Sequence, residues 1–326
     1  MKMLLALPGH LRTVPMGQFA AHALRELGHD VVIFDYWPNW GDKIHQKLLG
    51  QFDNEEYART NKRFRTAIEQ HKPDIVLAIY GFHLSVESLA YLKQRGILSV
   101  CWWLNDPFQF ERSLKKAREF DYLFTNAKGS VTAYREHHVN AYWLPTACEP
   151  QIHKRVPSTH EYECDVCFAG DWSPLREEWL SQLAETYDVK VFGPWGKKMS
   201  SPILKERLID GLFTPETMAN MFASAKVVLN IHTWHGKWTH GTNPRLFEAA
   251  GCGTAQAVDW KEELPELFDC KNDLLVYRSL DELKVQLEGF IQDTSRRSQA
   301  GQQAQTRAYA EHTYKHRMTQ LVEMLA

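Results

Sequence analysis

Residues 227 to 253 read VVLNIHTWHGKWTHGTNPRLFEAAGCG. The stretch begins with the apolar run from Val227 to Ile231, which is typical of a buried parallel strand. A loop rich in His, Trp and Gly follows, and Asn243-Pro244 then marks the start of a helix that ends at glycine. A strand, a loop and a helix in this order are the repeating unit of doubly wound α/β domains.

The same alternation extends outward over the whole chain. Apolar runs predict strands at 3–7, 31–36, 75–80, 97–103, 122–125 and 141–144, and again at 164–169, 189–192, 227–231, 255–258 and 274–277. Between the two sets, residues 145–159 hold three prolines and show no clean periodicity, so we interpret them as a linker. The pattern predicts two Rossmann-like doubly wound domains facing each other across a cleft, with a boundary between residues 147 and 148.

Helices are predicted at about 174–186, 215–225, 244–252 and 280–292, followed by one long helix from about residue 296 to the end. Composition agrees with a globular protein, because 44% of the 326 residues are hydrophobic. The 38 basic and 40 acidic residues nearly cancel, which gives no strong attraction to nucleic acid or to a membrane surface. No apolar run approaches the roughly 18 residues of a membrane span, and the cysteines resemble buried reduced thiols, so we expect a cytoplasmic protein.

Open parallel sheets bind ligands beyond the carboxyl ends of their strands, which selects the loops that deserve attention. Arg245 and Glu248 occupy the first turns of the helix that follows the His-rich loop. Free N–H groups at a helix start suit a phosphate, and a nearby carboxylate can reach ribose hydroxyls. The alternative is that both side chains are only solvated.

Three histidines in the preceding loop, His232, His235 and His240, raise the question of a metal site. No carboxylate or cysteine joins them at ligand spacing in the sequence, so we expect no metal. The same side chains could instead contact a sugar or a phosphate.

The run Gly241-Thr-Asn-x-Arg-x-Phe-Glu-Ala-Ala-Gly-Cys-Gly resembles the C-terminal donor-binding motif of GT-B glycosyltransferases, and is most similar to the CgeB-like branch. Supporting segments include WWLNDP at 102–107, WLPTACEP at 143–150 and FAGDWSPLR at 168–176. The resemblance implies that residues 148–304 bind a nucleoside diphosphate sugar, with a UDP-sugar expected, and that residues 1–147 bind the acceptor. It also implies that no metal or other cofactor is used, and that a final helix at 305–326 joins the first domain.

The resemblance further implies individual roles in the site. Glu248 matches the glutamate that binds the donor ribose, and His240 stands where many related enzymes have a second glutamate that touches the transferred sugar. We expect Arg245 and Arg176, with the N–H groups around Thr242 and Asn243, to stabilise the diphosphate leaving group. The complete set of expected donor contacts is Gly170, Asp171, Arg176, His232, Gly241, Thr242, Asn243, Arg245 and Glu248. For Arg176 a surface position is an equal alternative.

Catalytic candidates are His240 and, as a base for the acceptor hydroxyl, His10 or Asp106. Each base candidate has a structural alternative, since His10 could cap a helix and Asp106-Pro107 could form a turn or an N-cap. The acceptor stays open among a glycan, a protein, a small molecule and a modified nucleic acid. The basic run from Arg59 to Arg65 would suit a polyanionic acceptor, although such runs are usually solvated helix faces.

Two other functions remain open at this point. The chain could be a nucleotide-sugar-binding partner protein that has lost transferase activity, for which His240 would be the sign. It could also be a sugar-nucleotide epimerase with the same fold.

Overall fold

The computed structural model describes residues 1–9, 14–49 and 55–325 of the chain. The chain divides into two compact units. One unit is built mainly from Pro15–Pro145 together with the first strand and residues 315–325, and the other from Thr146–Tyr314. Each unit has its own parallel sheet of six strands.

The sheet of the first unit has the strand order β2-β1-β3-β4-β5-β6, and all its pairings are parallel. Its strands are β1 Lys2–Leu7, β2 Asp30–Asp35, β3 Ile75–Ile79, β4 Leu98–Trp103, β5 Tyr122–Thr125 and β6 Ala141–Trp143. The helices are α1 Met16–Glu26, α2 Trp40–Leu49, α3 Ala58–His71, α4 Val86–Gln94, α5 Phe110–Ala117 and α6 Ser130–Glu136. Every residue of β3 is buried, as expected for a central strand covered by helices on both faces.

The sheet of the second unit has the order β12-β11-β10-β7-β8-β9 and is also entirely parallel. Its strands are β7 Cys164–Ala169, β8 Val189–Gly193, β9 Leu208–Asp210, β10 Ala225–Asn230, β11 Gln256–Asp259 and β12 Leu275–Tyr277. The helices are α7 Pro174–Leu183, α8 Pro215–Ala223, α9 Pro244–Gly251, α10 Leu264–Leu267, α11 Leu280–Gln292 and α12 Thr294–Glu311. From β7 the chain adds β8 and β9 on one side, and it then adds β10, β11 and β12 on the other side. The position between β7 and β10 is therefore the topological switch point, where such sheets bind ligands.

The predicted fold class, two Rossmann-like domains, is confirmed, and all eleven predicted strands are present. The short strand β9 was not predicted, because its three residues, only two of them apolar, carry almost no periodic signal. Helix α2 was also not expected. Within the described residues no helix is long and apolar enough to cross a membrane.

The prediction of a single helix from residue 296 to the end is wrong. Helix α12 ends at Glu311, and a separate helix, α13, covers Tyr314–Leu325. Between them the backbone pairs with Cys148, whose N–H donates to His312 O at 2.9 Å and whose carbonyl accepts from Tyr314 N at 3.1 Å. These strand-like bonds take backbone groups that a continuous helix would need for itself.

Helix α12 belongs to the second unit, because it packs on the end of α9. Gly301 is so close to this turn that a side chain there would meet the carbonyl oxygen of Gly253 at 2.3 Å. The side chain of Gln305 also donates to Gly251 O at 2.7 Å. The chain therefore returns to the first unit at residue 315, ten positions later than the expected residue 305. The other boundary lies between Pro145 and Thr146, two residues before the expected one.

Candidate functional site

Helix α9 is fixed to the sheet through its N-cap residue. Asn243 caps the helix, because its side-chain oxygen accepts from Leu246 N at 3.3 Å. Its amide also forms a reciprocal pair with the amide of Asn230 at the end of β10, with N···O distances of 2.8 and 3.0 Å. Two hydrogen bonds between the same two side chains leave little freedom in the direction of the helix start.

Arg245 and Glu248, which face each other one turn apart on α9, form an ion pair. The Arg245 Nη1 to Glu248 Oε2 distance is 2.6 Å, and Arg245 Nε donates to the carbonyl of Ala169, the last residue of β7, at 3.1 Å. Burial raises the pKa of Glu248 above its ordinary value, although the charge of Arg245 opposes the shift. The alternative in which both side chains are merely solvated is therefore wrong.

Each partner of this ion pair keeps one polar atom unused. Arg245 Nη2 and Glu248 Oε1 have no hydrogen-bond partner among the residues that the structure describes. The pair is thus held by the protein beside the carboxyl end of β7, and one donor and one acceptor of it remain for a ligand. A phosphate oxygen would suit the first atom and a ligand hydroxyl the second.

A buried carboxylate, Asp259 at the end of β11, connects the His-rich loop to the sheet. Its Oδ1 lies 2.6 Å from His232 Nδ1, and its Oδ2 lies 3.0 Å from His235 Nδ1 and 2.9 Å from Lys261 Nζ. Burial alone would raise the pKa of Asp259, but the two histidines and Lys261 lower it well below its usual value. Asp259 is therefore a permanent anion surrounded by donors.

His232 links Asp259 to the start of α9. Its Nε2 accepts from the backbone N–H of Asn243 at 3.2 Å, so its Nδ1 must carry the proton and donate to Asp259. Complete burial lowers the pKa of His232, which agrees with a neutral ring even beside a carboxylate. His232 is brought to the site as predicted, but it contacts the loop backbone.

This geometry changes the expectation that backbone N–H groups near the helix start bind phosphate. The Asn243 N–H is used by His232, and the Gly241 N–H is held by both carboxylate oxygens of Glu263, at 2.8 and 2.9 Å. Thr242 between them is fully buried. His240 is partly exposed, and its carbonyl accepts from Trp234 Nε1 at 3.0 Å. Cationic side chains are consequently better placed than these N–H groups to meet a phosphate.

Arg176 is buried, which contradicts the alternative of a surface position. Its Nε and Nη2 donate to Ile231 O at 3.1 and 2.5 Å, and its Nη1 donates to Asp171 O at 2.8 Å. Burial lowers the pKa of Arg176 to about 10. Because all three nitrogens serve backbone carbonyls, Arg176 holds the loops after β7 and β10 together, and its expected contact with a phosphate stays a prediction.

Gly170 and Asp171 lie directly after β7, as predicted, and Asp171 is exposed. The loop is packed against the end of the neighbouring strand β8. Trp195 Nε1 donates to Gly170 O at 2.8 Å, and a side chain at Gly193 would meet that oxygen at 2.2 Å. The glycine at 193 is therefore required for the close approach of the two strand ends.

In the first unit, Asp106 lies inside the core. Its side chain has no exposed surface, and its Oδ2 accepts from Thr125 Oγ1 and Tyr134 OH, both at 2.7 Å. Its backbone is held by Asn126 through two further hydrogen bonds. The expected position on a loop that an acceptor could touch is therefore wrong for this conformation. His10, the other candidate base, lies outside the described residues.

The burial of Asp106 should appear in the pH dependence of stability. Burial raises the pKa of Asp106 to about 6, above the value of about 3.9 expected in the unfolded chain. Its contribution is thus fully present below about pH 4 and is lost as the pH rises through about 6. We expect Asp106→Asn to remove this loss, so that between pH 4 and pH 7 the variant gains up to about 3 kcal/mol over the wild type. Denaturant unfolding at several pH values measures this difference, and parallel curves for the two proteins would contradict it.

Two of the four cations in the basic run from Arg59 to Arg65 are paired with carboxylates, whereas Arg59 and Lys62 are exposed. Arg63 pairs with Asp42 at 2.8 Å, and Arg65 pairs with Glu55 at 2.5 Å. The ion pairs neutralise part of the run, and the polyanionic acceptor that it suggested stays a prediction.

Sequence reasoning missed Asp259, Asn230 and Glu263 as members of the site. Asp259 directly follows the predicted apolar strand at 255–258 and so carried a usable signal, since residues at strand ends lie at the ligand-binding edge of the sheet. Its contact with the His-rich loop depends on β11 lying next to β10, which no local pattern shows. Among the described residues, no cluster of His, Cys, Asp and Glu has the arrangement of a metal site. The expectation of no metal stays a prediction.

Comparison with known proteins adds independent findings to this geometry. A family model described as "Glycosyl transferase-like" matches residues 176–323. The spore protein CgeB of Bacillus subtilis (strain 168) is 23% identical over 283 residues, which cover 82% of this chain and 87% of that protein. The match to the family model includes α9 and Asp259.

Solved structures agree over the full length. Sucrose-phosphate synthase from Thermosynechococcus elongatus superposes with a TM-score of 0.70 at 12% identity, over 100% of this chain and 98% of that chain. HepE of Anabaena in complex with UDP and glucose superposes with a TM-score of 0.69 at 15% identity, over 100% and 99% of the two chains. At such identities the likeness establishes the fold. Together with the sequence matches, it confirms the resemblance inferred from the sequence: the chain has the GT-B fold and is similar to CgeB-like glycosyltransferases.

Proposed function

We propose that the second unit binds a UDP-sugar at the carboxyl ends of β7 and β10, and that the sugar passes to a hydroxyl of an acceptor held by the first unit. The observation that carries this proposal is the Arg245–Glu248 pair. Two nitrogens of Arg245 are fixed by Ala169 O, at the end of β7, and by Glu248, and the third has no hydrogen-bond partner among the described residues. Such sheets bind ligands at the switch point, which here lies between β7 and β10. UDP is chosen because HepE, which has a similar fold, was solved with it.

Chemically, the transfer needs a group that stabilises the diphosphate as the glycosidic bond breaks. A pre-positioned guanidinium does this without reorganisation, and a mostly buried one does it more strongly than a solvated one. Arg245 is 12% exposed in its side chain, so it combines burial with access. We include in the proposal that no divalent metal takes part, that the transferred group is a hexose, and that Glu248 Oε1 binds the ribose.

A cytoplasmic location belongs to the same proposal. All six cysteines are free thiols, and five of them are buried. Such thiols are typical of proteins from reducing compartments.

The test is a donor assay on the full chain without acceptor, run in parallel with and without EDTA. We expect slow release of UDP from UDP-glucose, and less release of GDP or dTDP from the corresponding glucose donors. Clean epimerisation of the donor would instead indicate an epimerase. Binding of UDP without any turnover would indicate a protein that has lost transferase activity, and loss of release in EDTA would overturn the metal-independent mechanism.

A further inference from the structure

The first unit contains a cavity at the carboxyl ends of β3 and β4, with a volume of about 290 Å³. Ligand pockets for drug-sized molecules usually occupy about 300–1,000 Å³, so this one suits a single ring better than an extended chain. The residues that matter for its chemistry are Tyr80, Phe82, Trp103, Arg112, Lys115 and Lys116. The site residues predicted from the sequence do not include any of them.

One wall of the cavity is aromatic. The rings of Tyr80 and Phe82 stack at 4.8 Å and 10°, and the ring of Trp103 stands edge-on to both, at 5.5 and 5.2 Å. Tyr80 and Trp103 are buried and Phe82 is partly exposed, so Phe82 is the ring of this wall that a ligand can reach most readily. Among the described residues the buried Trp103 Nε1–H has no hydrogen-bond partner, so the same wall contains an unsatisfied donor.

The backbone that shapes this wall is strained. Tyr80 has φ of 63° and Gly81 has φ of 70°, which places two consecutive residues in the left-handed region directly after β3. A tyrosine in this region costs on the order of 1 kcal/mol or more, and such residues cluster at binding and catalytic sites. The turn is secured by Lys116, whose Nζ donates to Phe82 O at 2.9 Å and Leu84 O at 2.8 Å.

The cavity also carries positive charge. Arg112 is exposed, and its guanidinium lies 4.1 Å from the centre of the Phe82 ring. Lys115 and Lys116 add two more cations from the same helix, against one lining carboxylate, Glu56. An arginine stacked on an aromatic ring keeps its in-plane donors free for a carboxylate or a phosphate.

We infer that this cavity binds the acceptor, and that the acceptor ends in an anionic sugar unit. The sugar ring would pack on the aromatic wall, and its carboxylate or phosphate would pair with Arg112 and Lys115. That the bound sugar is the acceptor rests on the proposed function. The binding of an anionic sugar by the cavity can be tested independently of that function.

The experiment is a ligand-observed NMR titration of the full chain with glucuronate, glucose 1-phosphate and glucose. We expect both anionic sugars to bind at least about tenfold more tightly than glucose, which is the range of one charge-assisted hydrogen bond. Arg112→Gln should remove this preference. Arg95→Gln is the matched control, because Arg95 is also an exposed arginine stacked on a ring, Tyr91 at 4.9 Å, but lies outside the cavity.

Each outcome decides something. Equal binding of all three sugars, or equal losses in the two variants, would overturn the inference. A preference for only one of the anionic sugars that Arg112→Gln abolishes supports it and identifies the acceptor's anion as carboxylate or phosphate. UDP binding, measured in parallel by calorimetry, should be the same in Arg112→Gln and wild type. If the wild type does not bind UDP, the proposed function fails while the sugar titration keeps its own answer.

Discussion

Replacement of Asp259 by Ala is expected to reduce the free energy of unfolding of the second unit by about 3–5 kcal/mol, the usual result when one partner of a buried ion pair is removed. Asp259 is fully buried, and Lys261 beside it is 2% exposed. Without the carboxylate, two N–H groups of His232 lose their acceptor, and the ammonium of Lys261 keeps only the carbonyl of Trp238 at 3.3 Å. The charge of Lys261 would then remain in the protein interior without a counter-ion.

The same variant should also weaken UDP binding, because Asp259 acts on the donor site through other residues. It fixes His232 in the tautomer that accepts the Asn243 N–H, and Asn243 caps the helix that carries Arg245. Asp259 is in this sense a positioning residue. We expect a loss of UDP affinity of about tenfold, as is typical when an outer partner of a binding residue is removed.

A double variant separates the two effects. Asp259→Ala with Lys261→Met removes both charges and should recover most of the stability, since replacing both partners of a buried pair is often nearly neutral. UDP binding should not recover, because His232 still lacks its partner. Calorimetry and denaturant unfolding on the single and double variants measure this. Recovery of both properties would show that Asp259 only neutralises Lys261.

The sequence predicts those features of the fold and site that depend on residues close together in the chain, and it does not predict contacts between distant segments. Strands such as β3 were predicted because five consecutive apolar residues are a local signal. Asn243 and Arg245 could be placed at the start of α9 for the same reason. Asn230 and Asp259 could not be assigned roles, because their contacts depend on which strands are neighbours in the sheet.

The other differences between prediction and structure concern charged residues that are buried in the protein. Asp106 and Arg176 were both expected where a ligand could touch them, since charged residues are rarely buried without a partner. Both do have partners, from hydroxyl groups in one case and from backbone carbonyls in the other. The sequence shows the charge but not the partners, which come from strands and helices distant along the chain.

The contrast between the two arginines of the second unit explains which one a ligand can use. Arg176 donates all three of its nitrogens to carbonyls and is 6% exposed. Arg245 is held by two nitrogens and keeps the third. Arg176 holds the loops after β7 and β10 together, and Arg245 is oriented by its bond to the end of β7. Substituting Arg245 should therefore change ligand binding in a way that depends on the chemistry of the ligand.

We expect Arg245→Met to weaken the binding of UDP by about 10- to 100-fold and to leave the weaker binding of uridine nearly unchanged, since only UDP carries the phosphates. A charge-assisted hydrogen bond of about 1.5–3 kcal/mol gives a loss of this size. The variant should also be less stable by about 3–5 kcal/mol, because Glu248 loses its only hydrogen-bond partner among the described residues. Calorimetric titrations with both ligands measure the difference.

Glu248→Gln is the matched variant, and it should weaken UDP and uridine alike, unlike Arg245→Met. The glutamine oxygen can still accept from Arg245, which is partly exposed and also donates to Ala169 O, so the loss of stability should be smaller than in Arg245→Met. The contact to the ribose, in contrast, loses its charge. We expect UDP and uridine to be weakened by the same factor, about tenfold, and 2′-deoxy-UDP by less than UDP if the contact is to the 2′-hydroxyl. Equal losses of uridine in both variants would show that the pair acts only through the stability of α9, and the assignment of phosphate to Arg245 and ribose to Glu248 would then be wrong.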